Sequence, residues 1–333
     1  MKNKLQPNNE NEEIIGKVQK LMEERGRKPL EMARKAILEE KIESKEVREA
    51  LHYFMTEYWQ DLARPTLMSI CCEAVGGDPN ATIPFAIPLS LISGALDIQD
   101  DIIDQSKTKH GRPTVYGKYG KEIAILTADA LLFKGFTLLS EACLEIPKEK
   151  AKKIMKTIKD LFYELGDAEA LELNLRGKLN ITPKEYLCII ERKAADVEAH
   201  TFISALFGDE SKNGIEILSD YGRKLGILII LRDEYADTMY PEELIYRIKK
   251  EHLPLPIVYA LQNLAIKPKL IKILKKRNIT QKDAQEIVKI LSEENIFEKM
   301  KEMMINMKES VTEKLHKMKG NISNLELFLR FFV

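Results

Sequence analysis

The segment LDIQDDIIDQSKTKHGRPT, residues 96–114, sets Asp97, Asp100, Asp101 and Asp104 into an otherwise apolar stretch. Their i, i+3, i+4, i+7 spacing draws a single stripe along a helix, with neighbouring Cβ atoms about 5–6 Å apart. Like charges so placed repel by a few tenths of a kcal/mol per pair. Leu91, Ile92, Leu96, Ile98, Ile102 and Ile103 surround them, and no lysine or arginine lies between 91 and 103. Carboxylates in such surroundings must be paired, protonated or bound to a metal ion.

A second acidic cluster follows the run LGILIIL at 225–231, which is apolar on every side and predicts a central helix enclosed by others. Directly after it, RDEYAD brings Asp233, Glu234 and Asp237 together, with Asp233 and Asp237 one turn apart. A solvated acidic face is the commoner meaning of such a pattern, but both clusters interrupt strongly apolar helices. All-oxygen ligands with no histidine favour a hard cation, Mg²⁺ in particular, held by a few carboxylates together with substrate phosphates. The two clusters therefore point to polyphosphate chemistry inside a helical bundle.

The rest of the chain agrees with an all-α fold. Residues 14–22 and 154–165 repeat the 3.6-residue amphipathic pattern, and strand-like alternation is absent. Thr182, followed by Pro183 and Glu185, and Thr280 are helix starts. With no repeat or composition break, we expect a disordered tail over 1–11 and one large helical domain over 12–333. The charge balance, 52 Lys+Arg against 52 Asp+Glu, gives no electrostatic case for nucleic acid or an anionic membrane as main partner. Four cysteines without metal-finger spacing are expected as buried free thiols. The polar start without an apolar signal region, and no apolar run of the ~18 residues a span requires, give the expectation of a cytoplasmic protein without a membrane span. The apolar end LELFLRFFV can pack as a last helix, cap a cavity or touch lipid.

These residues carry a family resemblance. QDDIID followed by GRPTVYGKYGKEIAILTADALL resembles the first aspartate-rich region of the trans-isoprenyl diphosphate synthases, the polyprenyl synthetase superfamily. YGRKLGILIILRDEYAD resembles their second, with Glu234 where an aspartate is usual. ARPTLMSICCEAVGGDP, IIERKAADV and LPLPIVYAL fall in the family's order, so the resemblance covers about residues 50–262. It implies an all-α isoprenoid-synthase bundle around a central cavity, usually a homodimer. It implies an allylic isoprenyl diphosphate as substrate and Mg²⁺, three ions with the bound diphosphate, as cofactor. Asp100, Asp101 and Asp104 then match the first metal site, and Asp233, Glu234 and Asp237 the second. Lys193 matches the family's diphosphate-binding lysine, and Lys109 the first of two arginines after the first acidic region. Ala95 and Leu96 match positions that face the hydrocarbon tail and set its length. Arg64, Lys118 and Arg232 are the further cations available to bind substrate.

The departures from the family pattern gather on the acceptor side. Where the family's pocket for isopentenyl diphosphate draws on GGKRLRP, this chain reads WQDLARP, with Asp61 at the lysine position and Leu62 at an arginine position. Ser93 stands in place of a histidine, and His110 in place of the second arginine. An anion facing a diphosphate opposes binding, and a histidine is only partly charged near neutral pH. These losses favour, from sequence alone, a terpene synthase or a prenyltransferase with another acceptor. An ordinary chain-elongating polyprenyl diphosphate synthase is the alternative, and a non-catalytic partner subunit a more distant one.

Overall fold

The computed structural model describes residues 9–109, 111–208 and 212–332. Among them are sixteen α-helices and one short hairpin. Six helices come first: α1 (Asn9–Leu38), α2 (Lys45–His52), α3 (Ala63–Ala74), α4 (Ile83–Ile103), α5 (Val115–Tyr119) and α6 (Lys121–Leu144). The strands β1 (Thr108–Lys109) and β2 (Arg112–Pro113) pair antiparallel between α4 and α5. There follow α7 (Lys148–Leu173), α8 (Pro183–Lys193), α9 (Ala195–Ala205), α10 (Lys212–Met239), α11 (Pro241–Lys250) and α12 (Leu255–Ala260). The last four are α13 (Lys267–Leu274), α14 (Gln281–Glu293), α15 (Ile296–Leu315) and α16 (Ser323–Phe332).

The chain groups into two compact units. The first comprises Met1–Thr157, His200–Leu218 and Met318–Phe331; the second comprises Ile158–Ala199, Ser219–Lys317 and Phe332–Val333. The expected tail falls partly outside the described residues, which begin at position 9, and residues 9–11 already belong to α1.

In the first unit α4 and α6 lie against each other along their length. The buried residues of α6, Ala124, Thr127, Ala128, Leu131, Gly135 and Leu139, form one face at helical spacing. Gly135 allows the close approach: a Cβ there would lie 2.7 Å from Ile92 Cγ1 and 3.0 Å from the Pro88 carbonyl oxygen. Leu91, Ala95 and Ile98 of α4 share a core with Phe54, Met55 and Trp59, which come from a single π-helical turn, Tyr53–Tyr58, and the residue after it. Both Pro79–Ile103 and α6 are long and apolar enough to cross a membrane by length and composition, contrary to the expectation from sequence. The first buries 67% of its apolar window inside the fold, whereas α6 buries only 33% and leaves Leu126 and Phe133 exposed. The apolar C-terminus packs as a last helix, with Leu325, Phe328 and Leu329 of α16 buried.

In the second unit α10 carries the run 225–231. Leu225, Ile227, Leu228 and Leu231 are buried, while Ile229 and Ile230 are half-buried, so this helix is enclosed on most sides rather than all. The capping boxes read from sequence are formed. Thr182 accepts from the Glu185 N–H while the Glu185 carboxylate accepts from the Thr182 N–H, and Thr280 and Asp283 do the same for α14. Cys71 and Cys72 are buried free thiols as expected, but Cys188 is exposed.

Candidate active site

The first acidic cluster forms the C-terminal end of α4. The helix stops at Asp104, and Gln105 takes a left-handed conformation with φ of 56° that turns the chain back. The Ser106 N–H then donates to the Asp101 carbonyl at 2.9 Å, and the Thr114 hydroxyl donates to the Ser106 carbonyl at 2.7 Å. This pins the hairpin so that Lys109 reaches back over the helix end. Its Nζ lies 3.1 Å from Asp100 Oδ2 and 2.7 Å from Asp101 Oδ1. Asp101 is only 2% exposed, and its Oδ1 forms the ion pair without hydrogen-bond alignment. Burial raises the Asp101 carboxyl to about 6, against the opposing pull of Lys109. Asp100 and Asp104 are half-buried beside it. The fourth aspartate of the stripe is engaged elsewhere, since Asp97 Oδ2 accepts the indole N–H of Trp59 at 2.7 Å.

Around this helix the other expected substrate residues divide. Ala95 is fully buried in the core that also holds Phe54 and Trp59, so it does not share the exposure of Leu96, which is half-buried four residues before Asp100. Lys118 sits with its Nζ 3.6 Å from the centre of the Tyr53 ring, a cation–π contact that employs it structurally. Arg64 is held by Asp61: Nη1 donates to Asp61 Oδ2 at 2.6 Å, and its Nη2 lies 4.0 Å from Asp97 Oδ1. Asp61 Oδ1 meanwhile accepts the backbone N–H groups of Ala63 and Arg64 at 2.8 and 3.2 Å, capping the start of α3. Ser93 is buried, and His110 lies outside the described residues.

The second cluster lies in the last turns of α10. Asp233 is exposed, and Arg232 beside it donates Nη2–H to its Oδ1 at 2.8 Å, so Arg232 attends an acid of its own helix. Glu234 faces the other way and is 5% exposed. Its Oε1 accepts from Arg247 Nη2 at 2.6 Å and its Oε2 from the Leu255 N–H at 2.8 Å. Burial acts to raise its pKa, but Arg247 and the Leu255 N–H outweigh it and hold the carboxyl below its usual value. Asp237 lies 3.6 Å from Arg247 Nη1, and burial raises its carboxyl to about 6. Lys193, at the end of α8, is paired with Glu169 at 3.1 Å and with Glu172.

Among the described residues no three or more His, Cys, Asp or Glu side chains are gathered as a metal cage. Lys109, Arg232 and Arg247 attend the acids instead. The donor chemistry nonetheless fits a hard divalent cation. Asp101 and Asp237 are carboxylates whose burial opposes their charge, and a cation relieves that opposition. Asp100, Asp101 and Asp104 in the first unit, and Asp233 and Asp237 in the second, are the residues that would hold Mg²⁺. When bound, such an ion neutralises charge growing on a departing diphosphate.

Sequence reasoning missed a buried polar network behind the second cluster. Arg247 on α11 is 6% exposed and donates to Tyr186 Oη at 3.3 Å and to Glu251 at 3.2 Å, besides Glu234. His252 Nε2 lies 2.6 Å from Tyr186 Oη and 3.3 Å from Glu172 Oε1. Burial, then the Arg247 charge, lowers the His252 pKa to about 3, so the ring is neutral. One signal was present in the sequence: Arg247 follows Leu244 by three residues and so shares the apolar face of α11, unlike Lys249 and Lys250.

Comparison with known proteins supplies the context. The polyprenyl synthetase family model matches residues 44–291. The geranylgeranyl diphosphate synthase of Methanosarcina mazei is 29% identical over 258 residues, covering 76% of this chain and 78% of that protein. A short chain isoprenyl diphosphate synthase of Methanothermobacter thermautotrophicus is 34% identical over 182 residues, 54% of this chain and 55% of that one. Among solved structures, the geranylgeranyl pyrophosphate synthetase of Pyrococcus horikoshii superposes with a TM-score of 0.84 at 25% identity, covering 95% of this chain and 99% of that one. Two aspartate clusters at the ends of long helices, the match over most of the chain and the shared all-α fold have one meaning: the chain belongs to the polyprenyl synthetase family and is a prenyltransferase with the isoprenoid-synthase fold.

Proposed function

We propose that the chain elongates an allylic isoprenyl diphosphate with isopentenyl diphosphate, using Mg²⁺ for which Asp100, Asp101 and Asp104, and separately Asp233 and Asp237, supply the ligands. The observation that carries this reading is the buried Asp101 and, separately, the half-buried Asp237, each attended by a cation, in a chain matched to the family over residues 44–291. The relatives are named for isoprenyl diphosphate products, which supports elongation over the terpene-forming reaction that the sequence alone favours. Lys193, a cation held among acids in the second unit, is suited to bind the diphosphate once its counter-ions are shared with metal. The exposed apolar flank of α6, with Phe133 at 73% exposure, supports a homodimer built on that helix.

One observation favours a second reading, transfer to an acceptor other than isopentenyl diphosphate or cyclisation of the allylic chain. Arg64, the retained arginine of the acceptor stretch, is neutralised by Asp61 at 2.6 Å. A single assay separates the two. Purified protein and Mg²⁺ are incubated with geranyl, farnesyl or geranylgeranyl diphosphate, each with and without isopentenyl diphosphate. Elongated diphosphates that require the co-substrate are the expected product. Diphosphate release and a hydrocarbon or alcohol from the allylic substrate alone would establish the second reading in its place.

A further inference from the structure

Glu234 stands at a metal-ligand position of the second acidic cluster, yet both of its oxygens are committed elsewhere. Oε1 is bonded to Arg247 at 2.6 Å and Oε2 to the Leu255 N–H at 2.8 Å, in a site where Glu234 is 5% exposed and Arg247 6%. The guanidinium has a second acid within reach: its Nη1 is 3.6 Å from Asp237 Oδ2, too long for a hydrogen bond but close enough for an ion pair. Its other contacts, at 3.2–3.3 Å, are Glu251 through Nε, and Tyr186 Oη and His252 Nε2 through the same Nη2 that bonds Glu234. Arg247 is therefore shared unequally between two acids one turn apart on α10, and the nearer one wins.

We propose that Glu234 is a positioning residue and not a metal ligand: it parks Arg247 away from Asp237, which leaves Asp237 and Asp233 available to a divalent cation. The physical logic is competition. A buried guanidinium seeks a carboxylate because an uncompensated buried charge is strongly unfavourable. Remove the charge of Glu234 and, beside Glu251, which already holds Nε, the carboxylate within reach of the guanidinium is Asp237. An arginine paired fully to Asp237 would occupy the lone pairs that a cation uses. Asp233 points to solvent and Arg232, outside this contest.

This inference rests on the metal reading proposed above, and the test separates the two. Mn²⁺ binding in the presence of inorganic pyrophosphate is measured by electron paramagnetic resonance on the full-length protein and its variants, with circular dichroism to verify the fold. Asp237→Asn and Asp233→Asn are expected to weaken binding about tenfold or more, within the range for disturbed metal sites. Glu234→Gln is expected to weaken it about as much, because it releases Arg247 onto Asp237. The decisive variant is Glu234→Gln/Arg247→Met, which removes the competitor as well and is expected to restore affinity to within about threefold of the parent. Replacing a buried ion pair by apolar or neutral groups of similar volume is often tolerated. Should that double variant misfold, Arg247→Met alone serves: parent-like or tighter Mn²⁺ binding supports the proposal, and a tenfold loss overturns it. A double variant as weak as Glu234→Gln makes Glu234 a ligand and overturns it likewise. No Mn²⁺ binding by the parent protein would instead remove the metal reading itself.

Discussion

Asp101 is under two opposed demands, and its titration exposes both. It is buried at the end of α4, which disfavours its charge, and it faces Lys109, which favours it; burial prevails and the carboxyl sits at about 6 against an ordinary 3.8. A folded-state pKa above the unfolded value means that the group favours folding while protonated. Its contribution is therefore complete below about pH 4 and is lost as the pH rises through 6. In metal-free protein, melting temperature should decline across that interval. Added Mg²⁺ and pyrophosphate should raise it above pH 6 and have little effect below, where protons hold the site; a flat profile in scanning calorimetry would contradict this. Asp101→Ala and Asp233→Ala should each lower turnover by about 10²–10³, read as kcat with the fold verified by circular dichroism. At this scale the sequence was informative where a residue type is rare for its surroundings. Four aspartates among isoleucines announce themselves. The separate work of Asp97, bonded to Trp59 across 38 positions of chain, does not, because that pairing exists only after folding. The partners of Arg247 were hidden for the same reason, although its place on the apolar face of α11 was not.

Helix α4 illustrates what periodicity can and cannot say about an element. Its existence, its length and its acidic stripe follow from spacing. Which flank meets the core depends on the partner: Gly135 of α6 allows close approach to Pro88 and Ile92, and Ala95 is buried in a core that also holds Phe54 and Trp59. Ala95 and Leu96 are adjacent in sequence but about 100° apart on a helix, so they cannot serve the hydrocarbon tail alike. Leu96 shares its flank with Asp100, one turn on. Leu96→Phe should shift products toward shorter chains with little loss of stability. Ala95→Phe should instead overpack the core and cost about 1–3 kcal/mol. Product length by mass spectrometry and unfolding in urea distinguish the two; a clean length shift from Ala95→Phe would return that residue to the tail's path. The capping boxes at Thr182 and Thr280 were legible because their chemistry is local, four consecutive residues apiece. The hairpin that returns Lys109 to Asp100 was not, since it hinges on the left-handed Gln105, a residue type with no marked preference for that conformation.

At the level of the whole molecule, amphipathic helices and two buried acidic ends sufficed to name an all-α fold, and the family match and superposition agree. The grouping into two compact units carries no mark in composition, since no linker-like stretch divides the chain. The proposed self-association would use the outside of α6. Leu126 and Phe133 are seven residues apart, hence on one face, and are 52% and 73% exposed. Phe133→Lys combined with Leu126→Lys should convert a dimer into monomer in sedimentation velocity while leaving the helical spectrum unchanged. A variant that sediments as the parent does would place the contact elsewhere.

Asp61 makes one small corner of the molecule do two jobs at once. One of its oxygens accepts the N–H groups of Ala63 and Arg64 at the start of α3, and the other binds the Arg64 guanidinium. Asp61→Lys would lose both contacts and set two like charges side by side, at a cost of about 1 kcal/mol. The charge of Arg64 and the firmness of the α3 start are thus coupled through a single carboxylate, so neither can be altered at residue 61 without disturbing the other.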